Sequence, residues 1–264
     1  MKNPLGIFSW YGFILPFEER IALIKEAGFT ATSLWWEDEE APFPMKKEGM
    51  PRLVRDKGLL LENIHVPFND SNALWSEDES VRTEIVQSHI QWLQDCAEFS
   101  IPRMVMHLTE GDNPPVPNRQ GLRSMEELVN VAEELGVTIA IENTRRTDNV
   151  PYVLRNVQST PLGLCFDSSH HRLTHNDYTL LKDYGDRLVA THISDNDGLH
   201  DRHWLPGHGI INWDEVARAF PKTFEGCLTL EAYPTAEERR ESPRKFLERA
   251  YQKVSGIQIL LGKS

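Results

Sequence analysis

Short apolar runs alternate with longer amphipathic stretches along the chain. The short runs are rich in β-branched, leucine and aromatic residues, which is typical of strands buried on both faces. Strands that alternate with helices predict repeated βα units and a parallel sheet. The predicted strands cover residues 5–10, 31–36, 59–66, 103–108, 137–143, 162–168, 188–194 and 227–232.

The stretches between these strands carry apolar residues at helical spacing and end at helix stop signals. Gly28 and Gly136 each follow such a stretch and are predicted to close a helix in the left-handed conformation. The predicted helices cover 17–27, 46–57, 79–99, 124–135, 150–157, 177–183, 213–219 and 237–253. This succession favours an α/β fold in which residues 1–264 form one domain, a (β/α)8 TIM barrel, over an open doubly wound sheet.

The composition predicts a soluble, cytoplasmic protein without a membrane segment. Of the 264 residues 40% are hydrophobic and 26% charged, and no apolar run reaches the roughly 20 residues that a membrane helix needs. Cys96, Cys165 and Cys227 cannot all pair, and we expect inert core thiols in a reducing compartment. The formal net charge of −12 gives no positive field for a polyanion, which disfavours a nucleic-acid partner.

Six predicted strands end in an ionisable side chain, at the end of the barrel where TIM-barrel enzymes carry their active sites. These side chains are His65, His107, Glu142, Asp167, His192 and Glu231. A single strand-end histidine is more often a hydrogen-bonded structural residue. Six strands that bring charges to one rim are costly to fold unless a cation neutralises them. The pattern therefore predicts a metal site.

Three more residues extend this set on the same rim. His170 follows Asp167 by three positions, and Asp201 and His203 lie two positions apart, so that an extended backbone points both the same way. One subset has three carboxylates and one imidazole, which suits Mn²⁺, Mg²⁺, Co²⁺ or Zn²⁺. It consists of Glu142, Asp167, His192 and Glu231. The remaining residues are richer in imidazole and favour zinc, so we expect one to three ions.

Short motifs surround these residues: IHVPF at 64–68, IENT at 141–144, CFDSSH at 165–170, HISDN at 192–196, DRH at 201–203 and PGHG at 206–209. Together they resemble the xylose-isomerase-like barrel superfamily, which includes sugar isomerases, sugar epimerases and the endonuclease IV group. One departure is His208, where related turns often carry glutamate.

This resemblance implies two alternative sites. In the isomerase and epimerase branch the four-residue subset holds one metal, and Glu142 and Glu231 stand on opposite faces of the substrate as acid and base. In the endonuclease branch all nine residues hold three zinc ions. The ligands alone do not separate the branches.

The acidic run EDEE at 37–40 favours the isomerase and epimerase branch, because acids on the rim repel phosphates. We therefore expect a divalent-metal-dependent isomerase or epimerase that acts on a sugar or sugar phosphate. The alternative is a zinc-dependent phosphodiesterase that cleaves abasic DNA. A non-catalytic metal-binding barrel is a third hypothesis, which the two retained glutamates argue against.

Other side chains are candidates for contact with the substrate. Aromatic faces near the rim can stack on a sugar ring, and a guanidinium can bind a carboxylate or phosphate. These candidates are Trp10, Phe68, Arg145 and Trp204. Trp36 and Trp75 also lie near predicted rim loops, although core packing is the commoner role for such aromatics. His89, His171, His175 and His200 are expected at the surface or behind the ligands, and helix 79–99 offers one contact face for a homo-oligomer.

Overall fold

A computed structural model describes residues 3–146, 148–175 and 177–263. Its strands are β1 (Leu5–Phe8), β2 (Ala31–Trp35), β3 (Leu60–His65), β4 (Arg103–His107), β5 (Thr138–Glu142), β6 (Leu162–Asp167), β7 (Leu188–His192) and β8 (Leu228–Leu230). They form one sheet in the order β7-β6-β5-β4-β3-β2-β1-β8, with parallel pairing throughout. From β1 to β7 each strand pairs with its neighbours in sequence, and β1 also pairs with β8.

The ring closes between β7 and β8 through the residue that follows β7. The N–H of Ile193 donates to the Thr229 carbonyl at 2.8 Å, and the Ile193 carbonyl accepts from the N–H of Glu231 at 3.2 Å. The Thr191 hydroxyl adds a bond to the Cys227 carbonyl at 3.0 Å. These contacts form a seam between the two edge strands, and the predicted (β/α)8 barrel is confirmed.

Helices connect the strands and cover the outside of the barrel. They are α1 (Phe17–Glu26), α2 (Met50–Asp56), α3 (Glu79–Glu98), α4 (Arg119–Leu135), α5 (Asn149–Asn156), α6 (Ser168–Thr174), α7 (Thr179–Tyr184), α8 (Trp213–Ala219) and α9 (Pro243–Leu261). Gly28 (φ 105°) and Gly136 (φ 67°) follow α1 and α4 in the predicted left-handed conformation. No helix among the described residues is both long and apolar enough to cross a membrane.

Capping side chains move three helix boundaries away from the prediction. Helix α4 begins at Arg119 rather than 124, because the Asn118 side chain accepts the N–H of Gly121 at 2.9 Å. Helix α9 begins at Pro243 rather than 237 because Ser242 caps it, and it continues to Leu261. Helix α6 was not predicted at all, and it begins directly behind Asp167, whose carboxylate accepts the N–H of His170 at 2.6 Å.

A layer of small side chains fills the barrel beneath its C-terminal rim. This layer consists of Val105, Ala140, Cys165 and Ala190, all fully buried. Strand side chains alternate between the two faces of the sheet, so the residue two positions further on points inwards one layer higher. Those residues are His107, Glu142, Asp167 and His192. The pleat of the strands therefore places the ionisable side chains above a packed apolar floor.

Several side chains named from the sequence belong to the core. Trp36 and Trp75 are buried, and their indole N–H groups donate to Asp95 and to the Leu108 carbonyl. His89 is also fully buried, inside α3, so its expected surface position was wrong. The three cysteines are buried and unpaired, which confirms that they are core thiols.

Candidate metal centre

Five strands end directly on a predicted ligand, and Glu231 immediately follows β8. The strand-terminal ligands are His65, His107, Glu142, Asp167 and His192. All of these side chains are buried, with no more than 8% of any residue exposed. The sequence prediction that they share one rim is therefore matched by the geometry.

Glu142 lies at the middle of this group. Its Oε2 atom is 3.1 Å from His65 Nε2, 3.5 Å from His107 Nε2 and 2.9 Å from His192 Nδ1. Its Oε1 atom is 3.2 Å from His170 Nδ1. A single carboxylate thus faces four imidazoles, which is the arrangement expected of a group shared between cation positions.

Two overlapping sets of ligand atoms meet at Glu142. In each set, every pair of ligand atoms lies within 4.8 Å. The first is Glu142, Asp167, His192 and Glu231, and the second is His65, His107 and Glu142. The first set is the four-residue subset predicted from the sequence.

The remaining three predicted ligands form a group of their own beside Glu231. Asp201 Oδ2 lies 2.9 Å from His170 Nε2 and 3.0 Å from His203 Nε2. His203 Nδ1 is 3.1 Å from the main-chain carbonyl of Glu231 and 3.9 Å from Oε1 of its side chain. Helix α6 and the loop after β7 therefore bring all three residues to the rim.

The ring nitrogens of three histidines are oriented as they are in metal ligands. Nδ1 of His65, His170 and His203 lies 2.9, 3.0 and 3.1 Å from a main-chain carbonyl, and a carbonyl accepts only from an N–H. In the neutral ring Nε2 then carries the lone pair, and it faces a carboxylate in each case. Two electron pairs at this distance require a proton or a cation between them.

His192 shows the same close approach of polar atoms. Its Nδ1 atom lies 2.9 Å from Glu142 and 3.1 Å from Glu231, yet neither ring nitrogen has a hydrogen-bond partner among the described residues. Glu142 Oε1 and Asp167 Oδ2 are buried and unpartnered in the same way. A positive charge among these atoms, either a divalent cation or the proton of a charged imidazole, would account for their approach. The residues present therefore fit a metal.

The pocket shifts the pKa values of neighbouring carboxylates in opposite directions. Burial raises the pKa of Asp167 to about 7, with help from the Glu142 carboxylate and against the charge of His170. Burial also opposes ionisation of Glu142, but the adjacent imidazoles of His192 and His107 hold its pKa well below the usual range. Opposite shifts in neighbouring acids indicate mutual repulsion, which a cation would relieve.

Two cavities open beside the cluster. One has a volume of about 180 Å³ and contacts the ligands His107, His170 and Asp201. The other has about 520 Å³ and lies between the loops after β1 and β2, with the acidic residues 37–40 in its wall. Trp35 joins the second cavity to the cluster, because its indole ring lies 4.5 Å from the His65 ring.

The four predicted substrate contacts occupy different places on the rim. Phe68 stacks on the His107 ring at 4.4 Å and lines the smaller cavity. Arg145 lines the same cavity and forms an ion pair with Asp112. Trp10 lines the larger cavity. Trp204 pairs its backbone with the loop after β7, and its ring lies under the Arg202 guanidinium.

Trp35 and Phe8 were not predicted as site residues, although both lie beside ligand imidazoles. Phe8, which ends β1, lies 5.1 Å from the His192 ring, and Trp35 ends β2. Their position could have identified them, because each is an aromatic residue at a strand end, as the ligands are. Of the four histidines set aside, His171 is buried, His175 is half-buried and His200 is exposed.

A family model with the description xylose isomerase-like TIM barrel matches residues 21–250. The chain belongs to this family. One relative that the chain resembles is the uncharacterized protein y4fM of Sinorhizobium fredii, 28% identical, with 76% of each chain covered. A Streptomyces coelicolor protein provisionally named as a hydroxypyruvate isomerase is 24% identical, over 83% of this chain and 86% of the relative.

A solved structure shows the same fold. The D-psicose 3-epimerase of Clostridium cellulolyticum H10, determined with D-tagatose, superposes with a TM-score of 0.76 at 17% identity. The match covers 99% of both chains. The barrel fold thus extends beyond the residues that the family model matches.

Proposed function

We propose that this protein is a divalent-metal-dependent isomerase or epimerase of a small carbohydrate. The observation that carries the proposal is the buried set Glu142, Asp167, His192 and Glu231, whose unpartnered atoms converge at the mouth of the barrel. A relative provisionally named as an isomerase and a structural neighbour named as an epimerase support this reaction class. We propose Mn²⁺ or Zn²⁺ as the ion, with Mg²⁺ and Co²⁺ as alternatives.

The reaction needs proton transfer at a carbon next to a carbonyl. A divalent ion held by the four residues would supply Lewis-acid polarisation of that carbonyl. Glu231 is the glutamate whose side chain keeps an exposed edge (11%), whereas that of Glu142 is fully enclosed. We assign Glu231 the first proton abstraction, and Glu142 the return of a proton to the opposite face in an epimerisation.

Deuterium exchange tests this proposal. Wild-type protein incubated with Mn²⁺ and a panel of ketoses and aldoses in D₂O should incorporate deuterium next to the carbonyl, as read by NMR. Glu231→Gln should lower the exchange rate at least about 100-fold, the usual size of a general-base contribution. Glu225→Gln, which changes an exposed acid three residues before β8, is the matched control and should exchange normally. Absence of exchange with every sugar would sink the proposal.

One observation favours a second candidate function. Besides the four-residue set, His65 and His107 adjoin Glu142, and His170 and His203 adjoin Asp201, so that two or three ions could bind. Clustered ions suit phosphodiester hydrolysis. Nicking of an abasic DNA duplex, with three zinc ions per chain, would promote this alternative, although acidic residues 37–40 oppose a DNA backbone.

A further inference from the structure

We infer that Asp195 is a positioning residue that holds Asp201 and His203 in place for an ion of their own. The inference rests on the proposed metal-dependent function and concerns the third group of ligands. Asp195 is not itself a ligand in any of the three groups described above. It is fully buried, three residues after His192.

The loop that carries Asp201 and His203 is long and lacks regular structure. It runs from Ile193 to Asn212, between the end of β7 and the start of α8. Loops longer than about 12–15 residues without secondary structure of their own need a specific reason to be ordered. Ligands on such a loop stay in register only if the backbone on both sides of them is fixed.

The carboxylate of Asp195 fixes both ends of this loop. Oδ1 accepts the N–H of Asn196 at 2.9 Å and that of Ile211 at 3.1 Å. Oδ2 accepts the N–H of Gly207 at 2.9 Å and the indole N–H of Trp213 at 3.2 Å. A carboxylate offers about four acceptor sites, and four N–H donors from the start and end of the loop fill them.

The backbone of Asp195 continues the same arrangement. Asp195 and Trp204 form an antiparallel bridge, in which the two N–H groups donate to the opposite carbonyls at 2.8 and 2.9 Å. The bridge closes a smaller loop that contains both Asp201 and His203. Residues 195 and 204 thus clamp the ligand-bearing segment at its base.

The next residue orients the ligand carboxylate. The Asn196 side chain donates to the carbonyl and hydroxyl oxygens of Ser169, each at 2.8 Å. The Ser169 hydroxyl in turn donates to Asp201 Oδ1 at 2.8 Å, which leaves Oδ2 facing the two imidazoles. Asp195 accepts the backbone N–H of Asn196, so the two side chains act as one support.

Two further features show that contacts with the surroundings impose the conformation of the loop. His203 has a positive φ of 48°, which non-glycine residues rarely adopt unless the surroundings impose it. Gly209 packs directly on the support, since a Cβ there would lie 2.3 Å from Asp195 Oδ1 and 2.1 Å from the Asn196 carbonyl. A side chain at 209 would displace the Asn196 backbone and the Asp195 carboxylate together, without altering the charge of either residue.

Metal binding by the intact chain tests the inference. Wild type, Asp195→Asn and Gly209→Ala are stripped with a chelator, and Zn²⁺ binding is followed by calorimetry and elemental analysis. Asp195→Asn directs an amide N–H₂ at two of the N–H donors that the carboxylate accepts. Gly209→Ala displaces the Asp195 carboxylate together with the adjacent Asn196 backbone. Both variants should bind the weakest wild-type ion about 10–100-fold less tightly, the usual effect of losing a supporting hydrogen bond, and should keep the tightest ion.

A control variant separates positioning from general stability. Ile24→Ala removes a fully buried side chain from α1, which contributes no residue to the centre, and should keep every ion affinity. Wild-type affinity in Asp195→Asn, an equal loss in Ile24→Ala, or a wild-type chain that binds one ion would each overturn the inference. Failure of deuterium exchange in a chain that shows the expected losses would remove the sugar chemistry and leave the positioning role intact.

Discussion

At the scale of single residues, the centre depends on how each donor atom is already engaged. His65 commits Nδ1 to a main-chain carbonyl and has Nε2 left for a ligand, so its tautomer is set before any ion binds. Glu142 is shared by four imidazoles. The loss of Glu142 should therefore affect more than one ion position.

Substitution of the shared carboxylate gives a direct prediction. Glu142→Gln should abolish stoichiometric binding at both overlapping positions, with affinities reduced more than about 100-fold, because it removes a ligand rather than a supporting group. His107→Gln should weaken only the position formed with His65. Elemental analysis after dialysis measures the ion content. Glu62→Gln replaces another fully buried glutamate of the barrel and should keep the wild-type ion content; retained ions in Glu142→Gln would contradict the assignment.

At the scale of the helices, α3 contains a pH-sensitive element. The Nδ1–H of His89 donates to the Ile85 carbonyl at 2.8 Å, and Nε2 is buried without a partner among the described residues. Burial lowers the pKa of His89 to about 4, against roughly 6.5 in an unfolded chain. Between these values the unfolded state binds more protons, so the free energy of unfolding falls as the pH falls.

The pH dependence of the unfolding free energy should therefore differ between wild type and a variant without the His89 imidazole. From pH 7 to pH 5 wild type should lose about 2 kcal/mol more of its unfolding free energy than His89→Leu, as measured by urea denaturation. Other titrating groups are common to both proteins and cancel in the comparison. Gln87→Ala, an exposed substitution in the same helix, should keep the wild-type pH dependence. Parallel curves for wild type and His89→Leu would show that His89 does not titrate in this range.

The sequence predicted the strands and most helices because their apolar spacing is regular and their ends carry clear caps. Helix α6 escaped prediction because its residues are polar and its cap, Asp167, reads equally well as a strand-end ligand. The strand-end ligands were predictable from their position after apolar runs. The support of Asp201 by Asp195 and Ser169 was not, since it depends on side-chain contacts up to 18 positions away for Asp195 and 32 positions away for Ser169.

At the scale of the whole molecule, part of the acidic surface charge lies beside the site. Glu37 and Glu40 are exposed in the wall of the larger cavity, whereas Glu39 pairs with the buried Arg20. Two unpaired acids near the mouth repel an anionic substrate, and salt screens that repulsion beyond about 10 Å at 0.1 M. The barrel should therefore prefer an uncharged sugar to its phosphate ester.

Charge neutralisation tests this preference. The double variant Glu37→Gln/Glu40→Gln should lower KM for a sugar phosphate several-fold at low salt and leave KM for the free sugar unchanged, in steady-state assays at two ionic strengths. Glu98→Gln, an exposed acid at the end of α3, serves as the control and should change neither value. An equal effect on both substrates would point to altered cavity shape rather than charge.

The seam between β7 and β8 also connects the metal centre with the closure of the barrel. The two edge strands contribute His192 and Glu231, whose Nδ1 and Oε2 atoms lie 3.1 Å apart directly above the closing bonds of Ile193. An ion coordinated by both side chains would link the two edge strands across this seam. Ion binding would then also stabilise the closed barrel. Without the ion, the barrel would open more readily along this seam.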